Sequence, residues 1–295
     1  MAHVDPPFYG AAYYPEDWPL EQIDEDVALM CEAGMNVMRI GEFAWSRMEP
    51  SQGEYDFDWL HLVVEKLGEA GIGVIMCTPT CTPPAWLTEQ YPETRIMLED
   101  GSRAQHGARR HACPNSPIYR DFTTRIVTRL AKEFGRDKRV VGWQIDNELY
   151  ISGSPRGCCC PVCHAKFRQA LGERYGSIHR LNAAWGTDLW SQTYSTFEQI
   201  PIPFSRTWHH PSLLTAWMEF QSDSYVEYAE LQANILHQLV DGPVGTDMMP
   251  FGGLHYYKMH RKLDVVQYNH YDDMTNLWRQ VFWMDYVRPI KPRPF

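Results

Sequence analysis

The chain has 295 residues and a formal net charge of −10, an acidity that argues against nucleic acid or an anionic membrane as partner, because phosphate binding needs a basic face. Its length suits one closed core, since a single barrel takes about 250 residues. The aromatic share of 13%, with 11 Trp and 16 Tyr, exceeds what packing needs and suits a cleft that stacks flat, partly apolar ligands.

Met1 to Gly10 offers neither the basic head nor the apolar centre of a secretion signal, and nowhere do eighteen apolar residues follow one another. The expectation is a soluble, cytoplasmic protein. From there β-rich runs alternate with amphipathic stretches. Phe8 to Tyr14 leads into a helix from Leu20 to Ala33, Asn36 to Ile40 into one from Trp59 to Ala70, and Val74 to Thr78 into one from Ile118 to Phe134. Val140 to Ile145 is followed by helices near Pro161 to Tyr175 and from Leu213 to Val240, the second with Leu213, Trp217, Phe220, Leu231 and Ile235 at helical spacing. Val244 to Met248, a helix over Leu254 to Lys262, and Val265 to Tyr268 bring the count to six strands. A last amphipathic stretch, Thr275 to Tyr286, runs into Arg288 to Phe295, which reads as the approach to a seventh strand.

This βαβα order implies parallel strands. An open doubly wound sheet would carry a Gly-rich phosphate turn after its first strand, where this chain has Tyr13, Tyr14, Pro15 and Glu16. The expected fold is therefore an α/β, (β/α)8 TIM barrel, truncated after about six strands. No repeat, low-complexity tract or linker divides residues 1–295, so a single domain is expected.

In such a barrel chemistry gathers where strands end and βα loops begin. The run from Val140 to Ile145 is apolar and then stops in Asp146, Asn147 and Glu148. An isolated acidic triplet more often caps the next helix; here the polar ending of a buried strand has no packing reason. Breaking a glycosidic bond takes an acid that protonates the leaving oxygen and a second carboxylate on the other side of the sugar. Glu148 fits the acid, and Asn147 fits a hydrogen bond to a sugar hydroxyl.

Three runs then carry a family likeness: Tyr13 to Pro19, Arg39 to Trp45, and the Asn147, Glu148 pair. Together they resemble glycoside hydrolase family 42, the β-galactosidases, and the similarity extends along essentially the whole chain. The resemblance implies a retaining β-galactosidase fold in which Glu148 is the proton donor on the fourth strand, while Arg109 and Asn147 contact substrate. Arg39 resembles an arginine held near the nucleophile, and Glu42 and Trp45 are wall candidates. The later run departs from the family, which has Trp, Asp, Asn, Tyr where this chain has Tyr268, Asn269, His270 and Tyr271. By the same resemblance the nucleophile is a glutamate on the seventh strand, expected beyond Phe295, so the chain alone is expected to be weakly active or inactive. The other readings are a barrel glycosidase of different sugar specificity and a non-catalytic, vestigial sugar-binding protein.

Of eight cysteines, four lie within residues 158 to 163, where mutual disulfides would be strained and metal ligation is easier. Four thiolates make a closed structural zinc site with no open position for water. The candidates are Cys113, Cys158, Cys159, Cys160 and Cys163, with His164 as a possible further ligand. The family resemblance selects Cys113, Cys158, Cys160 and Cys163 for a structural Zn2+, with no organic cofactor. Cys31, Cys77 and Cys81 read as buried small hydrophobes. The resemblance further implies a homotrimer for the full-length protein, with Trp185 and Trp190 as candidates for a subunit contact or a neighbouring cleft.

Overall fold

The computed structural model describes residues 7–153, 157–249, 253–271 and 274–292. Five short strands, β1 (Gly10–Tyr13), β2 (Val37–Ile40), β3 (Gly73–Cys77), β4 (Val140–Gln144) and β5 (Val244–Gly245), form one parallel sheet in the order β1-β2-β3-β4-β5. Strand order equals chain order with no reversal. A doubly wound sheet would turn back on itself at a switch point, whereas a barrel adds each strand to the same growing edge. In β3 and β4 all but one residue is buried, as expected of parallel strands covered on both faces.

The strand expected from Val244 to Met248 is divided. After β5, Thr246 turns its hydroxyl to Ile145 O at 2.7 Å, and β6 (Asp247–Met248) pairs in parallel with β7 (Gln267–Tyr268) on its other side. The break follows from the neighbouring chain, which leaves extended geometry at Asp146 with φ +57° and so ends the ladder from β4. The strand expected from Val265 shortens to Gln267–Tyr268, because Asp264 and Val265 both spend their N–H groups on Val244 O at 2.7 and 3.4 Å.

Helices cover the outer face. In chain order they are α1 (Ile23–Glu32), α2 (Trp45–Met48), α3 (Asp58–Glu69), α4 (Ala85–Gln90), α5 (Pro117–Phe134), α6 (Pro161–Tyr175), α7 (Ile178–Trp185), α8 (Pro211–Leu239), α9 (Tyr256–Met259) and α10 (Leu277–Val287). α5 begins where Ser116 accepts from Tyr119 N with Pro117 in the first turn, and it buries Phe122, Ile126, Leu130 and Phe134 at helical spacing. The short helices α2, α4 and α7 carry no long apolar period and lie outside the sequence expectation. Burial decides them: Trp45 in α2 is fully buried and bonds Glu49 Oε2 through its ring N–H at 2.9 Å. Cys77 and Cys81 are buried as expected, while Cys31, near the end of α1, is exposed. The expected approach to a further strand begins as a 3-10 turn, Arg288–Ile290, and Arg293, Pro294 and Phe295 lie outside the described residues.

Two apolar clusters result. The larger lies between the sheet and α1, α3, α5 and α8. The smaller joins α6, α7 and the first part of α8 around Phe167, Leu171, Leu181, Leu213 and Trp217, and includes four buried cysteines.

Candidate active site

Because the strands are parallel, their C-terminal ends open on one face, and polar residues from several strand ends meet there. Tyr14 follows β1, Arg39 lies within β2, Arg109 and Arg110 lie on the long loop after β3, Asp146 to Glu148 follow β4, Asp247 opens β6, and Asn269 follows β7.

Glu148 is the centre of this group. Its Oε2 pairs with Arg109 Nη1 at 3.1 Å, its Oε1 accepts from Asn269 Nδ2 at 2.7 Å, and its backbone N–H donates to Asp247 Oδ1 at 2.6 Å. Asn147, with its amide oriented to satisfy both neighbours, donates to Asp247 Oδ2 at 3.0 Å and accepts from Arg109 Nη1 at 2.6 Å. The three residues singled out from the sequence, Arg109, Asn147 and Glu148, thus touch one another. Both Asp146 and Glu148 hold left-handed backbone, φ +57° and +49°, a conformation that costs roughly 1–3 kcal/mol in a non-glycine residue and persists where surrounding bonds over-determine it.

Asp247 and Asn269, which like Glu148 are polar side chains at the ends of strands, complete the group. Asp247 is 1% exposed and its carboxylate also receives Asn269 Nδ2 at 3.0 Å, with Arg39 Nη1 at 3.7 Å. Burial pushes its carboxyl up to about 6, while the Glu148 N–H and Arg39 pull the other way without cancelling it. With its oxygens taken by donors, it acts as a base-plate under Glu148. Arg39 in turn binds Glu42 Oε1 at 2.9 Å and Gln144 Oε1 at 3.2 Å, and Tyr14 donates to Glu42 Oε1 at 3.1 Å. Glu42 and Trp45 are fully buried, so they support the wall rather than face the opening.

Above this floor lies a cleft of about 750 Å³ lined by Tyr14, Phe43, Arg109, Asn147, Glu148 and Tyr271, among others. Its walls are partly aromatic. Tyr14 and Phe43 stack with ring centroids 5.5 Å apart, and the Arg109 guanidinium lies 5.9 Å from the Phe43 ring. The volume and the mixture of flat apolar walls with a few convergent polar groups suit a sugar ring.

Behind the Glu148 loop, Cys113, Cys158, Cys160 and Cys163 bring their sulfurs within 4.8 Å of one another, all four buried. Cys113 Sγ is 3.5 Å from Cys163 Sγ and 4.0 Å from Cys160 Sγ. Four sulfurs around an ion at about 2.3 Å would be about 3.8 Å apart, so the thiols fit a tetrahedral metal centre. Donors aimed at the sulfurs favour thiolates: Met97 N–H reaches Cys158 Sγ and Asn115 Nδ2 reaches Cys163 Sγ, both at 3.4 Å. The competing candidates fall outside. Cys159 is only partly buried and its sulfur faces Gly157 O, and His164 Nε2 is engaged by Ile200 O at 2.9 Å.

The sequence and fold have clear relatives. A family model for glycoside hydrolase family 42, described as beta-galactosidase, matches residues 12–295. Beta-galactosidase YesZ of Bacillus licheniformis is 39% identical over 290 residues, 98% of this chain and 43% of that protein, and YesZ of Bacillus subtilis is 40% identical over the same shares. Among solved structures, beta-galactosidase from Bacillus circulans sp. alkalophilus superposes with a TM-score of 0.91 at 31% identity, over 98% of this chain and 44% of that one. The polyextremophilic beta-galactosidase of Halorubrum lacusprofundi gives 0.85 at 42% identity, over 89% and 40%. The chain spans about 43% of the length of the YesZ proteins it matches. Because the family match runs unbroken through Arg39, Arg109, Asn147 and Glu148 and on to β7, the chain belongs to glycoside hydrolase family 42.

Proposed function

We propose that this chain carries the proton-donor half of a retaining β-galactosidase site acting on terminal β-D-galactosides. The observation that carries the reading is the contact of Glu148 with Arg109 and Asn147 at the floor of an aromatic-walled cleft. Glu148 Oε2 protonates the departing glycosidic oxygen, and the same carboxylate then takes a proton from the water that releases the sugar. Arg109, 41% exposed at the cleft, and Asn147 offer donors and an acceptor to sugar hydroxyls. Retention requires a second carboxylate about 5–5.5 Å away across the sugar. None of the described carboxylates is given that role, since Asp247 is saturated beneath Glu148 and Glu42 is tied to Arg39 and Tyr14.

Glu148→Gln in the full-length protein that carries both carboxylates tests the reading: turnover of an alkyl β-galactoside should fall by about 100-fold or more, as expected for loss of a general acid. A variant as active as the parent on that substrate would sink it. A panel of chromogenic glycosides reads sugar preference, to which the Tyr268 to Tyr271 run contributes.

The cysteine cluster is read as a structural Zn2+ site held by Cys113, Cys158, Cys160 and Cys163, with no organic cofactor. Reduced thiols suit a cytoplasmic setting. Assembly as a homotrimer is part of the same reading. Trp190, 63% exposed, and Trp208, 83% exposed, present an aromatic pair with centroids 5.0 Å apart, whereas Trp185 is core. Light scattering of the full-length protein would read the subunit number.

A further inference from the structure

Arg109 and Arg110 are neighbours in the loop after β3, Asp146 and Glu148 stand two apart in the loop after β4, and the two loops are joined by two ion pairs side by side. The outer pair, Arg109 Nη1 to Glu148 Oε2 at 3.1 Å, lies at the cleft. The inner pair, Arg110 Nη2 with Asp146 Oδ1, is sealed, its side chains 6% and 0% exposed. Neither inner residue lines the cleft.

Asp146 is held by several donors, and Arg110 by its backbone and the ion pair, while the Arg110 Nε is buried with no hydrogen-bond partner. Arg110 N–H donates to Cys81 O at 3.0 Å, Thr80 Oγ1 donates to Asp146 Oδ2 at 2.6 Å, Asn147 N–H donates to Asp146 Oδ1 at 2.8 Å, and Asp146 N–H reaches Thr78 Oγ1 at 2.8 Å. Arg110 has φ +65° and Asp146 φ +57°, and Glu148 follows at φ +49°, so three of the five left-handed non-glycine residues among those described belong to this junction. Clustered backbone strain marks a place where geometry is being held against local preference. A buried ion pair adds little stability over apolar side chains of equal volume, so stability alone does not account for one here. What the pair fixes is the spacing of the two loops and hence the meeting of the residues beside it.

We infer that Arg110 and Asp146 are a positioning couple, which keeps Arg109 against Glu148 and aims the Glu148 carboxyl at the glycosidic oxygen. The couple never touches substrate and acts only through its neighbours. This role rests on the reading of Glu148 as proton donor.

The test uses the full-length protein that carries both carboxylates and compares the parent with Arg110→Lys, which keeps the buried charge but loses the planar fork, with Arg110→Gln, and with Glu148→Gln as reference. Each is assayed on two galactosides, one with a dinitrophenolate leaving group that departs without a proton and one with an alkoxide that needs it. For Arg110→Lys the expected result is a fall of about 100-fold in kcat/KM on the alkyl substrate against less than about 5-fold in kcat/KM on the activated one, since kcat/KM reads the bond-breaking step alone and loss of general-acid alignment spares a leaving group that needs no proton, with melting close to the parent. Equal losses on both substrates, or none on either, overturn the couple. A crystal structure of Arg110→Lys supplies a readout independent of turnover: the Arg109 to Glu148 contact should open past about 4 Å, the limit of an ion pair, and an unchanged contact overturns the proposal. If Glu148→Gln itself shows no split, the donor reading fails, and the structural readout still decides whether the couple holds Arg109 in place.

Discussion

At the scale of single residues, the floor of the cleft is a lattice of charge-assisted bonds around two carboxylates of unlike exposure to donors. Glu148 faces the cleft; Asp247 lies beneath it and collects N–H groups. Its raised folded-state pKa has a consequence for stability. A carboxyl whose pKa is about 6 folded and about 3.9 unfolded binds its proton more tightly in the folded state, so stability declines as pH rises between those values. Asp247→Asn removes that titration. The difference in unfolding free energy between parent and variant should therefore shift by about 2–3 kcal/mol between pH 4 and pH 7, in the direction that makes the parent the more pH-sensitive. Urea unfolding at stepped pH measures it, and parallel curves for the two proteins would contradict the assignment.

At the scale of elements, the loop between β4 and α6 has to leave a buried strand, present Glu148, and return as a cysteine-bearing turn. Two devices manage this. The left-handed residues at Asp146 and Glu148 turn the chain out of the sheet, and Gln221 of α8 clasps the returning end, accepting from Cys158 N–H and donating to Cys158 O, both at 3.4 Å. Gly157 permits the clasp, because it has φ +96° and an added Cβ would lie 2.3 Å from Gln221 Oε1. Gly157→Ala should destabilise the protein by about 2 kcal/mol through backbone strain and a displaced Gln221, read as a lower midpoint in urea with unchanged slope. The same variant should take up added Zn2+ less tightly than the parent, as titration would read. α5 and α8, with long apolar faces, fall within a residue or two of where the sequence puts them, since burial of one face both creates the period and fixes the helix, and α6 does so on only three buried residues, Cys163, Phe167 and Leu171. The short α2, α4 and α7 escaped, because four to eight residues hold too few turns for a period to show.

At the scale of the whole molecule, two apolar clusters meet at the site, the barrel core under the strands and the smaller core of α6, α7 and α8 around the thiols. Cys113 belongs to the loop after β3, and Cys158, Cys160 and Cys163 belong to the segment after β4. A metal bound there would tie together the two loops that carry Arg109 and Glu148. Mass spectrometry under native conditions should find one metal ion per chain. Cys113→Ser or a strong chelator should remove it and lower Tm by several degrees, the loss expected when a ligand bound only by the folded state is withdrawn. Retention of both metal and Tm in Cys113→Ser would contradict the four-sulfur site. α10 shows the opposite situation, with Leu277, Trp278, Val281 and Phe282 all more than half exposed on one helix.

The alternation of short apolar runs with amphipathic stretches determined the parallel α/β architecture from the sequence alone, because a strand buried on both faces and a helix buried on one leave different periods in the chain. The polar ending of β4 and the crowding of cysteines after it likewise drew attention to Glu148 and to a cluster of candidate metal-binding thiols in the sequence. Only the tertiary structure decided which residues serve Glu148. Asp247 and Asn269 come from strands about a hundred residues further on, and the division of β5 from β6 depends on Asp146 leaving the neighbouring ladder. The exclusion of Cys159 in favour of its neighbours Cys158 and Cys160 is of the same kind, since it turns on where each sulfur lies in the folded loop. Local pattern records what each segment buries, whereas partnership at the mouth of the sheet is fixed by parallel strand order, which brings strand ends distant in sequence to one face and within hydrogen-bonding reach.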